Sequence, residues 1–401
     1  MLNAEKEIQK WGPVLEHADA PPIKDNYRKA VTAKLLENTE IAMREQAQAS
    51  TFGTLSEDAN TNTGSTGGAA GGIDPVLISL VRRAMPNLIA YDVAGVQPMS
   101  GPTGLIFAMK AKYGDGNAIT GAPSAAQPEA LFNEADTDFS GVGGSAHAGG
   151  LFDSPESGVT AGGGIVTATG EVSSALAEMG FSIEKSTVTA KTRQLKAEYS
   201  MELAQDLKAV HGLDAESELA NILSGEILAE INREVIRSIV LTGKKGGVGA
   251  GTAAATGAFD LVADADGRWA VEKFQSLIFQ IEQEANAIAN ATRRGKGNFV
   301  ICSSNVASAL AAAGKLTFGG EGEIAVDATG NTFAGTLNGR LKVYIDPYSS
   351  TDYATVGYKG SSPYDAGMFY APYVPLTMVR AIGENSFQPK IAFKTRYGLV
   401  A

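Results

Sequence analysis

A glycine-rich loop that begins at Lys245 is the part of the sequence closest to a catalytic motif. It is spelled Lys-Gly-Gly-Val-Gly-Ala-Gly-Thr and resembles a phosphate-binding loop, whose backbone N–H groups surround the phosphates. Such a loop needs a lysine near its end to reach the phosphates, but Ala250 occupies that position. The loop also follows a predicted helix rather than a strand. We therefore predict a loop without nucleotide affinity, and a nucleotide-dependent enzyme is kept as an alternative function.

Metal ligands and nucleophiles are few and scattered. Cys302 is the only cysteine, and the three histidines lie far from it and from one another, which excludes a zinc site built from Cys and His. Glu226 and Glu230 lie one turn apart on a predicted helix, but two carboxylates without histidines are typical of a solvated face. His211 precedes Gly212 at a predicted helix end, which suits a structural role. The sequence thus predicts no metal, no cofactor and no enzymatic activity.

Composition excludes several further classes of protein. The chain has 401 residues, 44% of them hydrophobic, so it can bury a large core. Its net charge of −11 argues against a protein that coats nucleic acid. No apolar stretch approaches the length of a membrane span, and one cysteine needs no oxidising compartment. We expect synthesis in the cytosol.

The first 57 residues are predicted to form a separate helical segment. Short helical patterns cover Ala4–Trp11 and Ile23–Gln48, and the second carries a thin apolar stripe of Tyr27, Val31 and Leu35. A helix of this kind holds poorly alone and needs a partner. The stretch that follows from Asp58 is rich in Gly, Ser, Asn and Thr, which predicts a flexible linker.

Two later segments predict an extended ribbon. Residues 104–113 alternate with Leu105, Phe107 and Met109 on one face, which predicts a strand with one buried face. Residues 181–200 carry polar side chains on both faces, so this strand should find its burial on another molecule. Between them lies a glycine-rich insertion.

The remaining sequence predicts helices and strands in an α+β arrangement. Its strongest helix prediction covers Asp214–Leu241, with Asp214 as N-cap, and is long enough to act as a mechanical spine. The other predicted elements are helices over Ala270–Ala291 and Val306–Ala313 and strands over Asn298–Cys302, Arg340–Asp346, Ala354–Tyr358 and Met368–Val379.

Several long segments of the sequence resemble the major capsid proteins of T-even-type tailed bacteriophages. These segments are Arg82–Asp92, Gly95–Met99, Met179–Ile183, Lys191–Ala197, Glu202–Gly212, Glu230–Val235, Val343–Tyr348, Val356–Gly360, Tyr370–Tyr373 and Phe393–Gly398. The sequences of relatives often continue beyond the last of these segments, so the resemblance implies a C-terminal segment that can follow Ala401.

The resemblance implies the Hong Kong 97-type capsid fold, with an N-terminal arm, an extended β-ribbon loop, a peripheral domain with a long spine helix, and an axial domain. On this basis we expect a helical propeptide at 1–57, a linker and arm at 58–103, and the extended loop at 104–200 with its insertion at 114–178. Residues 201–295 are expected to form the peripheral domain, with the spine helix at 214–241, and the start of the axial domain. Residues 296–401 are expected to form the axial domain with returning strands. The insertion is shorter than the domain that some relatives carry in this place.

The implied function is a virion structural protein, assembled in the host cytoplasm, that forms hexameric capsomers and an icosahedral shell around double-stranded DNA. The implied partners are further copies of the chain, internal scaffold proteins, a head-maturation protease, vertex and decoration proteins, and a folding chaperonin. Maturation proteases of such phages cut after Leu-x-Glu, which Leu55, Ser56 and Glu57 match, so cleavage is expected between Glu57 and Asp58. A tail sheath or tube protein is the structural alternative.

Overall fold

The structure, a computed structural model, describes most of the chain. The described residues are 2–16, 23, 25–53, 88–113, 129–132, 135, 139–141, 164–172, 177, 179–246, 257–262, 264–265, 267–317, 325–326, 332–362, 365–382 and 388–401.

The described helices are, in chain order, α1 Leu2–Leu15, α2 Asn26–Gly53, α3 Ala90–Val93, α4 Thr167–Gly170, α5 Met201–His211, α6 Ala215–Thr242, α7 Ala270–Thr292 and α8 Ser304–Ala312. The described strands are β1 Gly95–Val96, β2 Thr103–Tyr113, β3 Met179–Thr189, β4 Lys191–Glu198, β5 Phe299–Ser303, β6 Leu316–Thr317, β7 Ala325–Val326, β8 Thr332–Leu337, β9 Leu341–Asp346, β10 Ala354–Gly357, β11 Phe369–Ile382 and β12 Pro389–Val400. This mixture confirms the α+β class.

The chain divides into two compact units. The first contains residues 1–104 and 188–401, and the second contains residues 105–187. The second unit is built on the two-stranded sheet of β2 and β3. The first unit holds a four-stranded sheet in the order β1-β11-β12-β4 and a larger sheet whose main path is β10-β5-β9-β8-β6.

The main hydrophobic core of the first unit lies around the four-stranded sheet. The long strands β11 and β12 pair antiparallel along most of their length, and β4 pairs with the outer side of β12 from Lys191 to Glu198. Helix α6 supplies Ile227, Ile231 and Val235, which are almost fully buried in this core. These residues recur at intervals of four, which places them on one face of the helix.

A second core lies between the larger sheet and helices α7 and α8. Strand β5, which lies between β10 and β9, is buried along its whole length, as its uninterrupted apolar sequence requires. Ile278 and Ile281 of α7 and Leu310 of α8 pack against it.

Most predicted elements of the C-terminal half are confirmed within a few residues. Helix α6 begins where predicted, and Asp214 caps it by accepting a hydrogen bond from the Ser217 N–H. Helix α5 ends at Gly212, whose φ of +68° is the left-handed conformation that glycine favours, so His211 closes the helix next to its cap.

The prediction of a separate N-terminal helical segment is wrong in one respect. Both helices form, but they pack into the main core of their own chain rather than standing apart. Helix α2 lies between α1 and β11, and Val31, Leu35 and Leu36 are at most 2% exposed. The partner that the thin apolar stripe needs is therefore the body of the same subunit.

Candidate assembly surfaces

One face of the β2–β3 ribbon carries six large apolar side chains that no described element covers. The Lys110 ammonium lies 2.9 Å from the Glu184 carboxylate, so these two residues share a face. Because side chains alternate along a strand, the residues of opposite parity lie on the other face. They are Leu105, Phe107, Met109, Met179, Phe181 and Ile183, which are 46–70% exposed.

This face corrects the expectation that the residues 104–113 have a buried side. The strand is confirmed, and it pairs with β3 in a two-stranded sheet and with Glu129 through one isolated bridge at Lys112, but no described element covers its apolar face. A two-stranded ribbon is marginally stable in water, and a contiguous apolar face on it marks a contact surface. We call these six side chains the ribbon face.

The predicted strand over residues 181–200 is in fact two strands. The chain breaks regular pairing at Ala190; β3 stays in the ribbon and β4 joins the four-stranded sheet. Leu195 and Ala197 of β4 pack against the main core, so the second half of the predicted strand has apolar contacts on one face. Only the first half behaves as the extended strand that was predicted.

Helix α2 is held on the body by polar contacts as well as by its apolar stripe. The Asn38 amide donates to the backbone carbonyls of Met99 and Tyr373 at 2.8 and 2.9 Å. The Arg28 guanidinium lies 2.7 Å from the Asp92 carboxylate, and the Tyr27 hydroxyl donates to the carbonyl of Val96. These contacts fix the segment that leads from α3 through β1 toward the ribbon.

The same segment is held from the other side by Lys359. Its ammonium donates to the backbone carbonyl of Tyr91, and burial lowers the pKa of Lys359. A buried cation of this kind is tolerated because the carbonyl oxygen accepts a hydrogen bond from it. The short run between Leu88 and Met99 is thus clamped between the N-terminal helices and the C-terminal half of the chain.

The predicted processing residues Leu55, Glu57 and Asp58 lie outside the described residues. The described residues before them end at Gly53, the last residue of α2, and the next described residue is Leu88. The predicted cleavage point thus falls between a helix buried in the main core and the clamped segment.

A charged network joins α6 to the four-stranded sheet. The Arg193 guanidinium of β4 lies 2.9 Å from Glu230 and 2.6 Å from Glu234, and it also donates to the Tyr397 hydroxyl. Glu230, considered above as a metal ligand, is therefore an ion-pair partner. In the described part of the chain no group of three or more His, Cys, Asp or Glu is placed to hold a metal ion.

A second network joins α6 to the larger sheet through Asp346, which is 2% exposed. Its carboxylate accepts hydrogen bonds from Arg233 at 2.6 Å, from the Tyr353 hydroxyl at 2.7 Å and from the Tyr348 N–H at 3.0 Å. Burial by itself would raise the pKa of Asp346, but these hydrogen bonds outweigh it, and the pKa lies below its usual value.

Replacing Asp346 by Asn should lower the free energy of unfolding of the subunit by about 1–3 kcal/mol at neutral pH, because Arg233 loses its buried counter-charge. The carboxylate has a lowered folded-state pKa, so its contribution is present above the unfolded value of about 4 and is lost as the pH falls through the folded value. The difference between wild type and variant in urea unfolding should therefore shrink below pH 4. The exposed Asp206→Asn is the control, and equal loss in both variants would contradict the prediction.

The remaining candidates from the sequence analysis are the Lys245 loop and Cys302. Lys245 and Gly246 are described, but the rest of the glycine loop, including Ala250 and Thr252, lies outside the described residues. Cys302 is fully buried, and burial raises its pKa to about 12, so its thiol is unreactive at neutral pH. None of the helices in the described part of the chain combines the length and apolar character that a bilayer crossing requires.

Comparison with known proteins identifies the family. Residues 70–401 match the model of the family described as major capsid protein Gp23. The major capsid protein of Salmonella phage ViI is 41% identical over 100% of this chain and 90% of its own length, and that of Enterobacteria phage T4 is 37% identical over 98% and 90%.

More distant similarities also involve capsid proteins. The capsid vertex protein of Escherichia phage AR1 is 31% identical over 57% of this chain and 54% of its own length. The solved capsid chain of Myoviridae phage XM1 is 11% identical, with a TM-score of 0.38 over 79% of this chain and 88% of that one. The assignment rests on the full-length sequence matches, and by them the chain belongs to the Gp23 family of phage major capsid proteins.

Proposed function

We propose that this chain forms hexameric capsomers that join into an icosahedral shell around double-stranded DNA, and that it acts as a structural protein and not as an enzyme. The observation that supports this proposal is the exposed ribbon face, on a chain that belongs to a family of capsid proteins. An apolar surface of this size on a narrow ribbon needs a partner, and copies of the same chain are the partner that is always present during assembly.

The Hong Kong 97-type layout assigns a role to each part of the chain. We propose residues 1–57 as a removable propeptide and 58–103 as linker and arm. Residues 104–200 form the extended loop in this proposal, with β4 as the strand that returns from it to the four-stranded sheet. Residues 201–295 form the peripheral domain with the start of the axial domain, and 296–401 form the axial domain with returning strands. Helix α6, with 28 residues, suits the spine, and its two charged networks support a rigid role.

The net charge of −11 suits a wall that encloses DNA without adhering to it, since like charges repel. We propose that a separate, related protein occupies the vertices, which the similarity to capsid vertex proteins supports. Scaffold proteins, a maturation protease, decoration proteins and a chaperonin complete the proposed partners.

Negative-stain electron microscopy of the full-length chain, expressed with its scaffold, tests the proposal. We expect closed shells of uniform size. Tubes would support the tail protein instead, and dispersed particles under all conditions would contradict both.

The Lys245 loop should have no measurable affinity for ATP. Without a lysine at Ala250, no side chain in the motif offsets the desolvation of a triphosphate. We expect millimolar ATP with Mg²⁺ to leave the melting temperature of the subunit unchanged, and Lys245→Ala to behave in the same way. A rise of several degrees in the wild type that disappears in Lys245→Ala would instead support the nucleotide-dependent enzyme.

A further inference from the structure

Helix α7 has two different apolar surfaces on opposite sides. One side forms a wall of an open groove with a volume of about 800 Å³, which Leu277 and Ile281 line. The other side carries Phe279, which is 64% exposed. Phe279 is two residues from both Leu277 and Ile281, and two residues correspond to about 200° on a helix. We call the exposed Phe279 side chain the α7 knob.

The groove is apolar at its base and acidic at its edge. Helix α7 forms one wall, Val306 and Ala309 of α8 form another, and Val356 of β10 contributes from the sheet. The only charged side chains among its described lining residues are Glu284 and Asp352, and both are carboxylates. An incoming group should therefore combine an apolar body with a positive rim.

The α7 knob has these properties. Glu282, three residues after Phe279, is the shared partner of two cations: Lys296, and Arg340 at 3.0 Å. Two cations on one carboxylate leave the edge of the knob with net positive charge, and Arg340 is 69% exposed. The knob of one chain thus complements the groove of another in both apolarity and charge.

The positions of knob and groove also determine the symmetry of the contact. In a two-fold dimer, a single neighbour would have to insert its knob into the groove of the first chain and accept the knob of the first chain in its own groove. A single neighbour cannot make both contacts, because the knob and the groove lie on opposite sides of one helix. Two different neighbours can, in a head-to-tail arrangement that closes into a ring.

We propose that the α7 knob of one copy docks in the groove between α7 and α8 of the next copy, as a head-to-tail contact around the capsomer. The inference rests on the proposed function in taking the partner to be a second copy of this chain. It assigns to Phe279 the insertion into the groove and to Arg340 the pairing with the acidic rim.

Cysteine cross-linking in the full-length chain tests both the contact and its direction. Gln275→Cys places an exposed thiol beside the knob, one turn before Phe279, and leaves Phe279 in place. Ala309→Cys places a thiol in the groove, while the native Cys302 is buried and stays silent. The double variant, assembled and treated with a short bis-maleimide, should give a ladder of covalent dimers, trimers and larger species. A mixture of the two single variants should stop at dimers, because each pair has only one cross-linkable junction.

Each single variant alone should give no cross-link. Ile222→Cys on α6 is the matched control, because Ile222 is exposed as Gln275 is, and combined with Ala309→Cys it should give no ladder. Dimers from Gln275→Cys alone would mean a two-fold contact of knob with knob and would overturn the proposal. Shells that form without a ladder would overturn it while leaving the proposed function intact, and absence of both shells and ladder would overturn both.

Substitution gives a second, independent readout. Phe279→Asp removes the knob and Ala309→Trp fills the groove, and each should weaken capsomer formation roughly tenfold to a hundredfold, the effect of losing one buried aromatic contact. Mixing the two variants should restore one-to-one pairs by sedimentation, since an intact knob then meets an intact groove. Pairs that form equally well from either variant alone would contradict the docking.

Discussion

Phe107→Asp combined with Phe181→Asp should abolish shell formation while leaving the isolated subunit folded. Both side chains lie on the ribbon face and are 63–64% exposed, so a charge there meets water in the free subunit. In the assembled state the same charges would be buried against a neighbour. Burying one Phe side chain contributes about 1.5–3 kcal/mol, so two losses correspond to association weakened roughly 100- to 10,000-fold at each contact.

The control for this prediction lies on the same strand. Ser186→Asp adds the same charge as Phe181→Asp, but it lies on the face shared by Lys110 and Glu184. It should assemble at nearly the wild-type threshold concentration in sedimentation velocity, and all variants should give wild-type circular dichroism as subunits. If the double Phe variant forms shells at the wild-type threshold, the ribbon face is not an assembly contact.

Local patterns predicted the C-terminal half of the fold well because its elements are periodic and bounded by clear signals. Asp214 and Gly212 mark the ends of two helices, and the apolar run of β5 is short and uninterrupted. Each of these signals acts within a few residues, so no distant contact is needed to interpret it.

The assembly surfaces were harder to predict because burial depends on contacts that a local pattern does not specify. The alternation of Leu105, Phe107 and Met109 predicts one apolar face correctly, but whether it is covered depends on the neighbours of the strand. Met179 precedes the segment that was considered as one strand, so the apolar face of β3 was missed. The signal that could have found it is the alternation of Met179, Phe181 and Ile183.

Long-range contacts explain the other differences. Residues 191–198 look polar on both faces, yet they form the outer strand of a sheet because β12 offers a free edge. Helix α2 has a thin apolar stripe but is buried on several sides, since small and polar residues such as Thr32, Ala33 and Asn38 also lie inside. Their burial depends on α1, which precedes α2 in the chain, and on β11, which lies near the other end of the sequence.

The position of α2 changes what removal of residues 1–57 should do. Cleavage after Glu57 would release side chains that the main core now buries. These are Trp11, Leu15, Ile23, Val31, Leu35 and Leu36. At about 1.5–3 kcal/mol for each large apolar side chain, the six together contribute about 9–18 kcal/mol, which is comparable to the whole stability of a typical domain, about 5–15 kcal/mol. Removal should therefore be tolerated only after neighbouring subunits hold the chain in the shell.

A chain expressed from Asp58 should consequently be insoluble or aggregated, whereas the full-length chain with Glu57→Gln should fold, assemble and stay uncleaved. A peptide of residues 1–57 supplied in trans should restore solubility to the shortened chain. In DNA-filled wild-type particles, the intact mass should correspond to an N-terminus at Asp58.

Point substitutions on α2 separate packing from simple loss of the segment. Leu35→Asp places a charge at a fully buried position and should reproduce the aggregation of the shortened chain, because the unpaired carboxylate cannot be solvated there. Ile41→Asp makes the same change on the same helix at a position that is 45% exposed, and it should remain soluble. If the shortened chain assembles as readily as the full-length chain, the N-terminal helices do not support the core. If infectious particles retain Met1, the cleavage after Glu57 does not occur.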